Sequence, residues 1–327
     1  MIISRAPLRI SIGGGGTDLP FYSSRFGGFL ITAAINKYIY IIVKKREFYD
    51  EFLIRYSKTE TPQEVKDIQH TRIKAALELL EIKDPLEITS IADVPAETGL
   101  GSSSTFLVAL LKALHAYKRE DVSAKKLAEE AAHIEMDILG EPIGKQDQYA
   151  SAFGSILELI IDQRGNVEVS PLNISYSTLE ELENNLLMFS TGIKRSATEI
   201  ITNQKKEVEN DEEKMKQMHF IKEIGLETKK CLEEGNVQKF GRWLNVHWET
   251  KRKFSNKMSS DQIDNFYQKG IENGALGGKL IGAGGGGFLL FYCDKNKKQL
   301  REALLKEGLK ELPFRLDADG CKLIYQS

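Results

Sequence analysis

The spacing of apolar residues divides the chain into strands and amphipathic helices. Short runs rich in β-branched and aromatic residues are typical of strands, and apolar residues that recur every three or four positions are typical of helices. The first pattern predicts strands at 1–12, 29–43, 52–56, 86–94, 155–161, 186–189, 321–325 and on both sides of the glycines at 282–287. The second predicts helices at 61–81, 102–117, 123–139, through 197–251, at 261–273 and up to about 309. This mixture predicts an α+β protein.

A loop-like stretch at 162–177 interrupts this pattern. It contains Gly165, Pro171, Asn173 and several serines, which are turn-forming residues. With 327 residues, the chain is long enough for two domains. We therefore predict an N-terminal domain of residues 1–170 and a C-terminal domain of residues 171–327.

The overall composition is that of an ordinary soluble globular protein. Hydrophobic residues make up 41% and charged residues 28%, and the net charge of −2 predicts neither a nucleic acid nor a membrane partner. Cys231, Cys293 and Cys321 lie far apart without a CxxC pair, so neither a disulfide framework nor a zinc site is predicted. The first residues lack the apolar core of a signal peptide. We expect a cytoplasmic protein.

Glycine is the unusual residue, because many of the 27 glycines fall into a few clusters. The central cluster is PAETGLGSSS, Pro95 to Ser104, which joins a predicted strand to a predicted helix. Gly99 and Gly101 permit a close approach of the backbone, and the helix N-terminus presents unpaired N–H groups and positive dipole charge. This arrangement favours a phosphate site. A serine-capped helix after a turn is the alternative.

A later cluster formally matches the GxGxxG pattern of dinucleotide-binding folds at Gly282, Gly284 and Gly287. That fingerprint requires a strand before it and a helix after it. Residues 288–292 instead predict a strand, and the match lies near the C-terminus. A dinucleotide-dependent oxidoreductase is therefore disfavoured.

Three segments in this order resemble the motifs of the GHMP kinases, a superfamily of small-molecule kinases. They are APLRISIGGGGTDLP (6–20), PAETGLGSSS (95–104) and KLIGAGGGGFLLFY (279–292). The resemblance covers nearly the whole chain and implies a two-domain fold with the active site in the cleft between the domains. GGGGTDLP and IGKQDQYASAFG (143–154) look most like kinases that act on D-glycero-D-manno-heptose 7-phosphate. Fucokinase-type enzymes share a related first motif.

The resemblance implies ATP and Mg²⁺ as cofactors. The expected ATP-binding residues are Pro95, Gly99, Leu100, Gly101, Ser102, Ser103 and Ser104. The expected Mg²⁺ ligands are Ser103 and Glu135, which offer the oxygen atoms that this ion prefers. One additional residue between this glutamate and the family's catalytic aspartate leaves Glu130 as an alternative to Glu135.

Asp147 matches the family's catalytic aspartate. Such a carboxylate can accept the proton of the attacking sugar hydroxyl, and a neighbouring cation assists it. Arg9 matches the family's cation, and Lys145 lies close enough in sequence to share that role. The alternative is that Asp147 caps the helix that begins near it.

The acceptor sugar is expected to meet the first and third glycine segments. The resemblance implies Gly15, Gly16, Thr17 and Asp18 from the first and Gly284 and Gly285 from the third. Asp18 is suited to sugar hydroxyls, although an Asx-turn before Pro20 is an alternative role. Lys194 and Arg195 are candidates for a remote phosphate on the sugar, with a surface salt bridge as the alternative.

The reaction that the resemblance implies is phosphorylation of the anomeric hydroxyl of D-glycero-α-D-manno-heptose 7-phosphate, giving a 1,7-bisphosphate for nucleotide-activated heptose and surface polysaccharide. A kinase for an unphosphorylated sugar such as fucose or galactose is the first alternative. A catalytically silent sugar and nucleotide sensor is the second. The presence of Asp147, Arg9, Ser103 and Glu135 together argues against the sensor, because binding alone requires no base.

Overall fold

Two β-sheets organise the chain, which we describe from a computed structural model for residues 1–194 and 196–327. In chain order the strands are β1 (Ile2–Gly13), β2 (Gly28–Lys45), β3 (Leu53–Arg55), β4 (Thr59–Glu60), β5 (Leu86–Ala92), β6 (Ile156–Ile161), β7 (Val167–Pro171), β8 (Leu186–Ser190), β9 (Gly277–Leu280), β10 (Phe288–Tyr292), β11 (Lys310–Glu311) and β12 (Lys322–Gln326).

The larger sheet is built around the long antiparallel pair of β1 and β2. Its order is β12-β1-β2-β5-β3-β4, and β6 adds to β2 and β7 to β6. All of its pairs are antiparallel except β3 with β5. The smaller sheet is antiparallel, with the order β11-β8-β10-β9. Since β12 pairs with β1, the end of the chain returns to the sheet in which it began.

The helices cover both sheets. They are α1 (Pro20–Phe26), α2 (Thr71–Leu79), α3 (Ser102–Tyr117), α4 (Ala124–Ala132), α5 (Gln146–Phe153), α6 (Tyr176–Asn185), α7 (Ala197–Glu209), α8 (Glu212–Glu233), α9 (Val237–Lys251), α10 (Asp261–Glu272) and α11 (Lys297–Lys306). A π-helical turn, His133–Ile138, follows α4, and a 3₁₀ turn lies at Val65–Asp67. Because most residues of α3 are apolar, the helix is buried nearly all round, against β1 and β2. In residues 1–194 and 196–327, no helix is long and apolar enough to cross a membrane.

The predicted α+β class is confirmed. The predicted helix at 61–81 is wrong in its first half, because the side chain of His70 accepts a hydrogen bond from Ile73 N and starts α2 there. The predicted loop at 162–177 contains β7 and the start of α6, and α1 was not predicted. The domain boundary at residue 170 stays a prediction. Strand β7 ends at Pro171, next to this boundary. Strand β12, from the predicted C-terminal domain, pairs with β1 of the predicted N-terminal domain.

Candidate active site

A cavity of about 330 Å³ brings the glycine-rich segments together. This volume is within the range of small-molecule sites. The loop after β1 contributes Gly15, Gly16 and Asp18, the loop before α3 contributes Gly99, Gly101 and three serines, and the segment after β9 contributes Gly282 and Ala283. Side chains from α2, α5, α7, α9 and the π-helical turn complete the wall.

The loop before α3 has the backbone geometry of an anion site. Gly101 is the N-cap of α3 and has φ +79°, a left-handed conformation that glycine adopts without steric cost. The following serines, Ser102 to Ser104, form the first turn of α3 and line the cavity. The N–H groups of a first helical turn have no partner within the helix, and they carry the positive end of the helix dipole. This wall is therefore suited to phosphate. We call the segment from Thr98 to Ser104 the phosphate loop.

Two of the predicted ATP-binding residues do not line the cavity. In the described part of the chain, Pro95 is exposed at the outer end of the loop and Leu100 is buried in the core. Leu100 fixes the loop instead, because its carbonyl oxygen accepts a hydrogen bond of 3.1 Å from the backbone N–H of Arg9. Arg9 also donates from Nη1 to the carbonyl oxygen of Gly99, at 2.7 Å.

Asp147 lies in the first turn of α5 and faces the same loop. A Cβ atom at Gly101 would be 3.0 Å from Asp147 Oδ2, so the carboxylate lies directly against the loop. Arg9 Nε donates to Asp147 Oδ1 at 2.6 Å. Lys145 is the N-cap residue of α5, which excludes the capping role considered for Asp147. The Lys145 ammonium donates to Glu129 at 2.9 Å, so Arg9 is the cation on Asp147.

Asp18 is a buried carboxylate in the loop after β1, where only 7% of the residue is exposed. It accepts hydrogen bonds from Gln146 N at 3.1 Å and Gly16 N at 3.3 Å. Burial raises the pKa of Asp18; the hydrogen bond from Gln146 opposes this shift, and the nearby charge of Asp147 adds to it. Its neighbour Thr17 is fully buried and donates to Gly14 O and Phe29 O, so Thr17 holds the loop and does not line the cavity.

Glu135 is fully buried in the π-helical turn and lines the cavity. Its carboxylate accepts hydrogen bonds from Ser104 Oγ at 2.7 Å, Gln148 Nε2 at 2.6 Å and Arg72 Nε at 3.0 Å. Burial raises the pKa of Glu135, and the Arg72 charge and these hydrogen bonds oppose that shift. The serine beside Glu135 is thus Ser104, whereas Ser103, the predicted partner, is exposed at the mouth. A carboxylate and a hydroxyl at the phosphate loop are oxygen ligands that fit Mg²⁺.

The alternative metal ligand, Glu130, lies elsewhere. It accepts a hydrogen bond from His115 Nε2 at 2.7 Å and pairs with Lys126 at 3.6 Å. In the described chain it does not line the cavity. Of the two glutamates, only Glu135 therefore faces the phosphate loop.

Two buried polar groups near Asp18 face the cavity without a hydrogen-bond partner in the described residues. They are Ser11 Oγ and Gln146 Nε2. An unsatisfied buried donor costs about 1–3 kcal/mol. A ligand hydroxyl within reach of either group would remove that cost, so Ser11 and Gln146 add polar character to the cavity wall near Asp18.

The residues of the third glycine segment that line the cavity lie two positions before the predicted ones. Gly282 and Ala283 line it, whereas Gly284 and Gly285 pack against Met258 and Ile200, and Gly285 N donates to Met258 O at 2.8 Å. A Cβ atom at Gly287 would lie 2.2 Å from Thr98 O, so this segment touches the phosphate loop directly. The third segment therefore supports the loop more than it faces the ligand space.

The structure describes one residue of the predicted remote-phosphate pair, Lys194. Lys194 is exposed and, within the described ranges, does not line the cavity. Arg195 lies outside the described residues. Two cationic side chains that the sequence did not single out, Arg72 and Lys251, do line it. Local patterns around Arg72 give no signal, but Lys251 falls on the apolar face of α9, one turn after His247.

His247 is fully buried on α9, and neither ring nitrogen has a partner in the described residues. Burial lowers its pKa well below 6.5, and the charges of Lys279 and Lys251 add to this shift. We expect His247→Leu to raise the free energy of unfolding at pH 7 by about 1 kcal/mol, because it removes unsatisfied buried groups at similar volume. Below pH 6.5 only the unfolded wild type takes up the proton, so the wild type loses stability and the advantage of the variant should grow.

Urea unfolding at pH 7.5 and 5.5 measures both effects. The matched control is His133→Leu, which replaces an exposed imidazole paired with Asp137 and should change stability little at either pH. A difference between wild type and His247→Leu that stays constant between these pH values would contradict the burial of a neutral imidazole.

Comparisons with known proteins agree with the motif resemblance. Residues 71–155 match the GHMP kinases N terminal domain, and residues 228–310 match the GHMP kinases C terminal domain. The chain is 32% identical over 333 residues to a D-glycero-alpha-D-manno-heptose 7-phosphate kinase of Campylobacter jejuni, covering 98% of both chains. It is 25% identical to a galactokinase of Pyrococcus furiosus, covering 96% of this chain and 95% of that one.

Solved structures give the same fold. A D-glycero-D-manno-heptose 1-phosphate kinase from Bacteroides thetaiotaomicron superposes with a TM-score of 0.83 at 27% identity, and each chain is covered completely. A galactokinase of Lactococcus lactis, complexed with galactose, has a TM-score of 0.76 at 18% identity, covering 98% of this chain and 94% of that one. The latter likeness concerns the fold alone.

Proposed function

The chain belongs to the GHMP kinase family and is an ATP-dependent sugar kinase, and from this premise we propose that it phosphorylates the anomeric hydroxyl of D-glycero-α-D-manno-heptose 7-phosphate. The observation that carries the proposal is the carboxylate of Asp147, which lies against Gly101 of the phosphate loop and is held by Arg9. A base beside a phosphate cradle is what transfer from ATP to a hydroxyl requires. The product is a 1,7-bisphosphate.

The loop before α3 binds the phosphates of ATP in this proposal. Backbone N–H groups at the start of α3 bind the phosphate oxygens, and Ser102, Ser103 and Ser104 add hydroxyl groups. Ser104 and Glu135 would hold Mg²⁺, with Ser103 at the mouth as a further oxygen donor. When bound, this ion neutralises charge on the phosphates.

Asp147 accepts the proton of the attacking hydroxyl and orients that hydroxyl toward the phosphate loop. Arg9 does two things at once. Its Nε holds the Asp147 carboxylate, and its Nη1 holds the Gly99 carbonyl oxygen of the loop. The base and the phosphate cradle are thus fixed to each other through one guanidinium, which limits their relative motion.

The sugar is recognised beside the base, by the loop after β1. Asp18 accepts hydrogen bonds from sugar hydroxyls, and Ser11 Oγ and Gln146 Nε2 supply hydrogen-bonding groups that have no partner among the described residues. Gly15 and Gly16 line the same place without side chains. A polyol with several hydroxyl groups suits this mixture of acceptors and donors.

The relatives support a heptose phosphate as the acceptor. The Campylobacter jejuni protein is 32% identical over almost the full length, and the Bacteroides thetaiotaomicron structure is that of another heptose phosphate kinase. We also propose a cytoplasmic location and a role in supplying nucleotide-activated heptose for surface polysaccharide. Both follow from the family and from the free cysteines of the chain.

A substrate panel tests the proposal. ADP release from Mg-ATP is measured with D-glycero-D-manno-heptose 7-phosphate, the same heptose without phosphate, galactose and fucose. We expect kcat/KM to be at least about tenfold higher for the heptose 7-phosphate than for any free sugar, equivalent to about 1.4 kcal/mol of transition-state binding. A preference for galactose or fucose would replace this assignment with an unphosphorylated-sugar kinase, and binding without turnover would indicate a sensor.

A further inference from the structure

Arg72 is a cavity-lining arginine that no step of the proposed reaction uses. It lies in the first turn of α2, whose start is fixed by the cap at His70, and 18% of its side chain is exposed. The residue lines the same cavity as the phosphate loop. A cation beside a phosphate site could bind phosphate directly or act through its protein partners, and its contacts distinguish the two roles.

Two glutamates share the Arg72 guanidinium. Nη2 donates to both carboxylate oxygens of Glu141, at 2.7 and 2.6 Å, and Nε donates to Glu135 Oε1 at 3.0 Å. Hydrogen bonds between ionised partners are strong, and the planar guanidinium gives them a fixed direction. Glu141 therefore anchors the guanidinium, and the guanidinium sets the position of Glu135 Oε1.

The two oxygens of the Glu135 carboxylate are held by different groups. Oε1 accepts from Arg72, whereas Oε2 accepts from Ser104 Oγ at 2.7 Å and from Gln148 Nε2 at 2.6 Å. An ionised carboxylate has about four acceptor sites, so these donors leave about one for a further ligand. Because Ser104 and Gln148 both use Oε2, that site is on Oε1, the oxygen that Arg72 holds.

Burial makes Glu135 dependent on this contact. The residue is fully buried, so its carboxylate cannot turn to water. Ser104 and Gln148 are neutral donors, and Arg72 is the charged donor among the described residues. Glu141 N donates to Glu135 O at 2.9 Å, which keeps two like charges in one turn of chain. Without the guanidinium, repulsion and the lost donor would displace the Glu135 carboxylate.

We propose that Arg72 is a positioning residue, which holds Glu135 Oε1 where this oxygen can bind the Mg²⁺ of Mg-ATP. Two carboxylates already share its charge, so Arg72 acts through Glu135 and not by binding the ATP phosphates. Removing a group that orients a metal ligand typically lowers metal affinity by about 10–100-fold. This inference rests on the proposed function, which assigns the metal to Glu135 and Ser104.

Equilibrium binding of ATP with and without Mg²⁺ tests the inference apart from catalysis. Calorimetry without acceptor compares wild type with Arg72→Met, using ATP in excess Mg²⁺ and ATP in EDTA. The ratio of the two affinities is the gain due to the metal, and we expect this gain to fall at least about tenfold in the variant. The affinity in EDTA should stay within about threefold, because Arg9 still holds the phosphate loop through Gly99 O. That arm also shows that the variant is folded.

Arg72→Lys separates the charge of Arg72 from its direction. Lysine keeps the charge but lacks the planar fork, so its gain from Mg²⁺ should stay at least about threefold below that of the wild type. If Arg72→Met is unstable, Arg72→Lys carries the test. The matched control is Arg55→Met, which removes an arginine paired with Glu87 at 2.7 Å, outside the cavity wall formed by described residues. It should keep the wild-type gain.

The inference is overturned by a wild type that gains nothing from Mg²⁺, by an unchanged or larger gain in Arg72→Met, or by full recovery in Arg72→Lys. It is also overturned if the affinity in EDTA falls as much as the affinity in Mg²⁺, because Arg72 would then bind the phosphates directly or support the fold alone.

The proposed function fails separately, since these titrations contain no acceptor. If the gain from Mg²⁺ depends on Arg72 but heptose 7-phosphate is not phosphorylated, the positioning role stands and the proposed substrate falls. If heptose 7-phosphate is phosphorylated and the gain does not depend on Arg72, the reaction stands and this inference falls.

Discussion

Asp147→Asn is expected to lower kcat by about 10²–10⁴-fold, the usual contribution of a positioned general base. Asparagine has nearly the same shape and keeps an oxygen for Arg9 Nε, which donates to Asp147 Oδ1 at 2.6 Å in the wild type. The loop before α3 is also held by Arg9, through Leu100 O and Gly99 O. KM for ATP should therefore stay within about threefold, because the variant removes proton acceptance and leaves the phosphate cradle in place.

Steady-state ADP release with saturating acceptor measures this loss. The matched control is Asp137→Asn, which replaces a carboxylate paired with His133 at the protein surface. It should leave kcat within about twofold. A value of kcat for Asp147→Asn within tenfold of the wild type would exclude Asp147 as the base. A large rise in KM for ATP would instead indicate that the carboxylate mainly supports the loop.

The parts of the site that could be predicted from the sequence are those encoded in one short segment. The loop before α3 needs glycines for its backbone and serines for the first helical turn, and these stand next to each other in PAETGLGSSS. The strand before it and the apolar helix after it follow from local periodicity. The pairing of Arg9 with Asp147 joins residues 138 positions apart, and only the family resemblance suggested it.

Contacts that depend on helix phase could not be predicted. Ser103 and Ser104 are adjacent residues of one serine run, so the sequence does not show which of them contacts Glu135. Successive residues of a helix point about 100° apart, and only Ser104 donates to Glu135. Glu135 itself lies in a π-helical turn, which takes in one more residue than an α-helical turn.

Contacts between elements that are distant in the chain also could not be predicted from the sequence. Arg72 reaches Glu135 from α2, 63 positions away, and nothing in its own segment marks it. Lys251 is different, because a lysine on the apolar stripe of α9 is visible from periodicity alone. What the stripe does not reveal is the cavity that the lysine faces, since β9 and the start of α7 provide it.

Glu135→Gln is expected to lower kcat/KM for Mg-ATP by about 100-fold. The wild-type carboxylate accepts from Ser104, Gln148 and Arg72, and an amide at this place would turn a donor toward donors. It would also remove the negative charge that compensates Arg72 and that would attract Mg²⁺. Calorimetric titration of Mg-ATP should show weaker binding, and urea unfolding should show a loss of about 2 kcal/mol from the unsatisfied buried groups.

Glu141→Gln is the control that separates metal binding from the loss of an Arg72 partner. Glu141 accepts from Arg72 Nη2 at 2.6 Å and is partly exposed, whereas the serine of the phosphate loop, Ser104, donates to Glu135. Because water can satisfy Arg72 there, the control should lose less than tenfold in kcat/KM. Equal losses in the two variants would mean that the Arg72 ion pairs, and not an oxygen ligand at Glu135, account for the effect. A Mg-ATP affinity unchanged in Glu135→Gln would exclude Glu135 as a metal ligand.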